Sequence, residues 1–324
     1  MERREFLARL AGSMVLARPF VVRAADRPAR IALLGSGAAQ TSMPFVDAIR
    51  DGLRANGLVE DRDYVLDLRW ADGAYERFPA FAREAVQRDS RVILATTIAA
   101  VRAAQRVTRT IPIVMTTIND PVGAGLIASL ARPGGNTTGI ANLTEDVTPK
   151  VLDITRAIIP NVSEIAVLFN PANPSNRVML EKIKKGSGGR PTIHSFEFRP
   201  GALAQVFDDI VRQRPGALLV INDAAIIDDR ALIADLALQH RIPAFSSIPE
   251  LTDAGALAGY GPPRIELYRR SATYVKKILD GARPADLPVE QPTRVELSVN
   301  LKTARQLGIP IPDRVLGRAD RTIE

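Results

Sequence analysis

Residue types that do covalent or metal chemistry are sparse in this chain. It contains no cysteine, which excludes a disulfide framework, a thiolate metal site, a cysteine nucleophile and a lipidated N-terminal cysteine. His194 and His240 lie far apart in sequence, with no carboxylate cluster at ligand spacing, so nothing points to a metal centre. No Gly-x-Ser-x-Gly elbow presents a nucleophile. Gly35-Ser36-Gly37 invites a dinucleotide reading, but position 40 is Gln where the third glycine of that fingerprint belongs. What remains suits hydrogen bonding to a small ligand: the short polar pairs Thr96-Thr97, Asn119-Asp120 and Asn222-Asp223, each following an apolar run. No cofactor is implied.

Elements of a particular kind must hold those pairs. Ile111, Ile113, Val114 and Met115 form an apolar run suited to a parallel strand with both faces covered. Asp120-Pro121 then reads as a helix N-cap with proline at the first helical position, and Leu126, Ile127 and Leu130 as that helix's buried stripe. Pro133-Gly134-Gly135 stops it before a strand near Thr138. The polar pairs therefore sit where strands hand over to helices, the edge at which open α/β sheets bind ligands. Trp70, the one tryptophan, ends a strand at residues 64–70; it either stacks on an aromatic ligand or covers a loop.

The same alternation runs through the chain. A strand at 29–35, a polar loop at 36–42 and a helix carrying Phe45, Ile49 and Leu53 open it. A helix at 78–86, a strand at 91–95 and a helix to Val107 lead into the unit just described. Later come a helix at 149–159, a strand at 164–169, a polar loop at 170–174 and a short helix at 178–185. Strands at 192–198, 217–221, 242–245 and 256–260 alternate with helices at 202–213 and 228–240. A helix at 265–279, a strand at 295–300 and a helix to Leu307 close the reading. Two segments share one plan about 125 residues apart, RVILATTIAAVRAAQRVTRTIPIVMTT and ALLVINDAAIIDDRALIADLALQHRIPAFSS. That spacing fits two facing doubly wound lobes, because solenoid periods are far shorter.

Composition bounds the class. The 324 residues are 46% hydrophobic, with no apolar run long enough to span a bilayer, as expected for about two domains that each bury a core. Residues 1–25 resemble an export signal: Arg3-Arg4-x-Phe6-Leu7 has a twin-arginine character, the alternative being a basic region ahead of a Sec-type apolar segment, and cleavage is expected near Ala24 or Ala25 to give a periplasmic protein. Their removal takes five arginines and two glutamates, leaving 38 basic against 34 acidic residues, or +4. So small a charge, without basic runs interleaved with aromatics, argues against nucleic acid.

DPVGAGLIASLARPGGNTTGI, RRSATYVKKILDGARPADLPVEQPTRVELSVNLKTARQLGIPIP and the closing RADRTIE resemble the ABC-transporter substrate-binding proteins related to tryptophan and tyrosine uptake proteins. The resemblance implies an α/β fold of the type 1 periplasmic-binding kind: two Rossmann-like lobes of doubly wound parallel sheet joined by a three-crossing hinge. It divides the mature chain into an N-terminal lobe, 26–142 plus 263–289, and a C-terminal lobe, 143–262 plus 290–324. It also implies a monomer without enzymatic activity that captures a small molecule by hinge closure and delivers it to a membrane permease and ATPase. The chain departs from the family at Ala95-Thr96-Thr97-Ile98, where a Gly-Thr-Pro loop is common, and at 179–195, where a short or irregular helix is expected.

In such a fold helix N-termini surround one crevice and favour an anionic group such as a carboxylate. The first-lobe candidates are Ser36, Gln40, Thr41, Ser42, Thr96, Thr97 and Asn119, with Trp70 as the stacking candidate. The second-lobe and hinge candidates are Asn142, Asn170, Asn173, Asn222, Asp223, Ser246 and Tyr260. Asp223 either holds a ligand amine or caps a helix, and Asp120 is expected to cap. The alternatives are a ligand-sensing module of a receptor or regulator, and a periplasmic enzyme on the same fold.

Overall fold

A computed structural model describes residues 27–142 and 144–324; the export signal read at 1–25 lies outside them. The first lobe runs β1 (Ala29–Gly35), α1 (Ala39–Ala55), β2 (Tyr64–Trp70), α2 (Phe78–Gln87), β3 (Val92–Ala95), α3 (Ile98–Val107), β4 (Ile113–Asn119) and β5 (Thr137–Asn142). Its strands form one parallel sheet in the order β2-β1-β3-β4-β5. Alternate side chains of β1 and β3 enter different cores. Ala32, Leu34 and Ile93 meet Phe78 and Ala82 of α2 and Val101 of α3, whereas Ile31, Leu33 and Leu94 meet Phe45 and Ile49 of α1. Cover on both faces is why these strands read as unbroken apolar runs.

The second lobe runs α4 (Thr144–Ile158), β6 (Glu164–Phe169), α5 (Pro174–Ser187), β7 (Thr192–Glu197), α6 (Leu203–Arg212), β8 (Ala217–Val220), α7 (Ala224–Asp228), α8 (Arg230–Gln239), β9 (Ala244–Ser246), α9 (Pro249–Asp253) and β10 (Ala258–Gly261). Its order β7-β6-β8-β9-β10 repeats that of the first sheet strand for strand. The chain then crosses back. α10 (Arg264–Leu279) lays Leu267, Ala272, Val275 and Ile278 on the α1 side of the first sheet, and the Tyr274 hydroxyl donates to Pro288 O at 2.7 Å. Ala141 N donates to Glu290 O at 2.8 Å, so the returning segment borders β5. β11 (Glu296–Asn300), α11 (Leu301–Leu307), α12 (Asp313–Leu316) and β12 (Arg321–Ile323) finish the chain. β11 joins β10 antiparallel, and β12 lies beside it to complete a seven-stranded sheet.

Three local expectations are corrected. The helix expected after Asp120-Pro121 is a series of turns, because Asp120 holds φ 33° and Gly125 φ 67°, conformations incompatible with a right-handed helix. Asp120 Oδ1 accepts Gly123 N at 2.8 Å, so its cap closes a turn, while Leu126 and Ile127 still fill the first core. The loop expected over 36–42 ends early: α1 starts at Ala39, placing Gln40, Thr41 and Ser42 in its first turn. α5 is fourteen residues long, because Asn173 caps it with Pro174 at the first position and Met179, Leu180 and Ile183 bury one face. The helix expected at 228–240 is α8, and a further short helix, α7, precedes it with Asp229 between them.

Candidate functional site

The carboxyl ends of both sheets face one cavity of about 320 Å³ between the lobes. Of the residues singled out from sequence, Ser36, Thr96, Thr97, Asn119, Asn142, Asn173, Asn222 and Asp223 line it. On the first lobe, Thr97 caps α3 by accepting Ala100 N at 3.2 Å. The next two residues, Ile98 and Ala99, line the cavity, and as first-turn residues their N–H groups have no carbonyl one turn back to bond. Thr96 Oγ1 donates to Leu34 O at 3.2 Å and lies 3.4 Å from Ser36 Oγ, which ties the hydroxyls of neighbouring strand ends together. These N–H groups and hydroxyls suit an anion.

The second lobe is wired differently. Asp223 caps α7 through Ala225 N, 2.9 Å from Oδ1, and accepts Asn170 Nδ2 on Oδ1 and Asn173 Nδ2 on Oδ2, each at 2.8 Å. Asn173 in turn caps α5 by accepting Ser175 N at 3.1 Å. Asn176, fully buried, accepts Asn170 N and donates to Asn222 O, each at 2.9 Å. Asn-Pro-Ala-Asn-Pro is thus a rigid loop whose amides orient the acid at the next strand end.

Seven of the sequence candidates stand elsewhere. Gln40 points to solvent. Ser42 and Trp70 line a side pocket of about 30 Å³ with Gly35 and Phe45, and Trp70 packs so tightly over Gly35 that a Cβ there would collide with its ring. Asn170 is buried behind Asp223. Ser246 is fully buried, donating to Val220 O at 2.9 Å and accepting Ile248 N at 3.0 Å. Tyr260 lines a separate depression with Lys150 and Arg314.

Thr41 belongs to a contact between the lobes. Its hydroxyl bonds Asp228 of α7, whose other oxygen accepts Ala38 N at 2.9 Å. An acid of the second lobe thereby supplies the side-chain cap that Ala38, at the start of α1, cannot. Gly37 makes room for it, since a Cβ there would lie 2.8 Å from Asp228 Oδ2. Burial raises the Asp228 pKa, while the bonds from Thr41 and Ala38 and the charges of Arg230 and Arg264 oppose the shift.

Ten lining residues escaped the sequence reading, among them Tyr75, Arg102, Arg264 and Tyr268. The Tyr75 hydroxyl is buried beside Asp223, short of strict hydrogen-bond geometry; burial first, then the charges of Asp223 and Asp228 and a side-chain interaction with Asp223, raise its pKa far above the ordinary value. Arg102 stands exposed at the mouth, donating to Ala124 O at 3.0 Å. Arg264 and Tyr268 lie on the buried face of α10. A signal for Arg264 existed: it falls three and four residues before Leu267 and Tyr268, a charge in register with an apolar stripe.

Comparison with known proteins places this geometry. A family model described as "ABC transporter substrate binding protein" matches residues 39–323. A tyrosine-binding protein of Clostridioides difficile is 25% identical over 268 residues, 81% of this chain and 75% of the relative. Among solved structures, a conserved domain protein from Vibrio cholerae is 26% identical with a TM-score of 0.84, and the ABC domain from Streptococcus pneumoniae in complex with L-Trp is 24% identical with a TM-score of 0.81. Each match covers 91% of this chain and all of the other. The two lobes have the type 1 periplasmic-binding fold.

Proposed function

The chain belongs to the ABC transporter substrate-binding protein family, and from that premise we propose that it is the extracytoplasmic binding component of an ABC importer. It captures an amino acid or other small carboxylate between its lobes and presents the closed form to a permease and its ATPase. The observation that carries this reading is the cavity of about 320 Å³ lined from both lobes, with the capped start of α3 on one side and the Asp223 cluster on the other. A ligand touching both lobes has more contacts in the closed state and shifts the population toward it. Tyr75, Tyr268 and Ile98 give the cavity an apolar and aromatic lining, and the curated relative named for tyrosine binding supports an aromatic amino acid as the first ligand to test. Among the described residues no helix is long and apolar enough to cross a membrane.

A thermal-shift screen over amino acids and small aromatic acids tests the ligand class. A ligand at 100 to 1,000 times its dissociation constant stabilises by about 3 to 4 kcal/mol, and no shift with any carboxylate would remove the proposal's basis. Small-angle scattering tests closure: saturating ligand is expected to compact the protein, and an unchanged radius of gyration with a proven binder would leave capture without hinge closure.

A further inference from the structure

Arg264 carries an inference that rests on the capture reading above and deepens it. It begins α10 directly after the second crossing between the lobes and is only 8% exposed. Its guanidinium carbon lies 4.5 Å from the centroid of the Phe45 ring and 5.9 Å from that of Tyr268, and those rings are 4.7 Å apart, so both aromatics pack on one side of the cation. The N–H edge is different. Nη1 is buried with no hydrogen-bond partner, and among the described residues no ion pair involves Arg264. The second-lobe carboxylates at the cleft are engaged elsewhere, Asp228 with Ala38 N and Thr41, Asp223 with Asn170, Asn173 and Ala225 N.

Arg264 acts on Asp228 through charge without a direct ion pair, so Nη1 keeps an unmade hydrogen bond, and a buried donor left unmade is destabilising. Arg264 lines both the main cavity and the side pocket, so a molecule in the cleft can bring an anionic acceptor to Nη1. Ile98 and Ala99, at the N-terminus of the ten-residue α3, line the same cavity and add partial positive charge of the same sense. Asn119 Oδ1 complements them as a buried acceptor with no donor.

We propose that Arg264 is the specificity-determining cation of the cleft: its fork pairs with a carboxylate of the ligand while Asn119 accepts an N–H from it. Phe45 and Tyr268 pack on one side of the guanidinium and leave Nη1 unpartnered, a donor that a carboxylate oxygen matches. The cleft therefore takes aromatic amino acids and rejects the amines that remain when their carboxylate is removed.

Calorimetric titration of wild type, Arg264→Met and Arg264→Lys with L-tyrosine, L-tryptophan, tyramine and tryptamine tests this. Wild type is expected to bind the two amino acids and neither amine. Arg264→Met should weaken amino-acid binding by about 30-fold or more, the usual loss when one partner of a buried charge pair is truncated. Arg264→Lys should fall between, keeping the charge without the fork. Ligand-free Arg264→Met should melt no lower than wild type, because it replaces a buried donor left unmade with an apolar chain of similar length. If Arg264→Met binds L-tyrosine within about twofold of wild type, the anchor is refuted and the capture reading stands. If tyramine binds wild type as tightly as L-tyrosine, both fall. If no probe binds, the aromatic amino-acid reading falls, and melting decides the anchor: an unchanged or raised temperature for Arg264→Met supports it, and a lowered one makes Arg264 a packing residue and overturns it.

Discussion

The two lobes repeat one strand order, yet they bring different chemistry to the cleft. The second lobe's acid and amides bond one another: Asp223 accepts from Asn170, Asn173 and Ala225 N, and Asn176 ties Asn170 to Asn222. On the first lobe, Asn119 Oδ1 and Arg264 Nη1 are buried without hydrogen-bond partners, and the Tyr75 hydroxyl is buried beside Asp223 of the other lobe. One face is a finished hydrogen-bond network and the other is an incomplete one. A buried polar group left unmade costs free energy, so the incomplete face is where a ligand gains most by arriving. Identical topology therefore fixes where a site lies, while side chains decide which wall is rigid and which recognises.

Substitutions can break that contrast. The largest effect is expected for Asp223→Ala, which strands the buried Asn170 amide, the half-buried Asn173 amide and a helix N–H at once; urea denaturation of the ligand-free protein should show a loss of about 3 kcal/mol. A loss under about 1 kcal/mol would mean that the network is not the rigid wall. Asp228→Ala removes the acceptor that bonds Thr41 and Ala38 across the lobes, and about tenfold weaker ligand binding with a larger radius of gyration is expected. Thr97→Ala should cost about 1 kcal/mol of stability through the lost α3 cap. Asn119→Ala is the counterpart on the open wall. Its stability should stay within about 0.5 kcal/mol of wild type or rise while ligand affinity falls, and a destabilisation matching that of Asp223→Ala would erase the distinction.

A smaller effect follows from pH. Asp228 has its pKa raised by burial at the lobe contact, where Arg230, Arg264, Asp229 and Tyr75 also act on or near it. With the lobes apart its carboxyl is solvated and titrates in the ordinary range, so the closed form holds the proton more tightly. The advantage to closure is complete below the ordinary carboxylate pKa and is lost as pH rises through the raised one. Scattering of the ligand-bound protein at a series of pH values should follow that direction, and Asp228→Asn should flatten the dependence.

Much of the scaffold was legible because period-two and period-3.6 patterns report burial directly. β1, β2 and β6 fall at the expected residues, and the paired Ile-Pro strands mark the repeat that the two sheets realise. The segment after Asp120 was misread because Leu126, Ile127 and Leu130 have helical spacing and two of them are buried, although glycines and a positive φ at Asp120 make turns. Apolar spacing records which side chains go inside without recording the backbone that carries them. α9, α12 and β12 were missed because each is five residues or fewer and tertiary contacts hold it.

The polar pairs at Thr96-Thr97 and Asn222-Asp223 were visible in sequence because strand ends are local features. Sequence alone determined the fold class, the strand-end positions and, by exclusion, a chemistry of hydrogen bonding. Only the tertiary structure decided that Asp223 is already engaged, that Asp228 reaches across to α1, and that Arg264 Nη1 is a buried donor without a hydrogen-bond partner. Each of those facts depends on residues far apart in the chain meeting in one place. Whether a polar group is satisfied is a property of its neighbours in space, and residue type and spacing do not encode it locally.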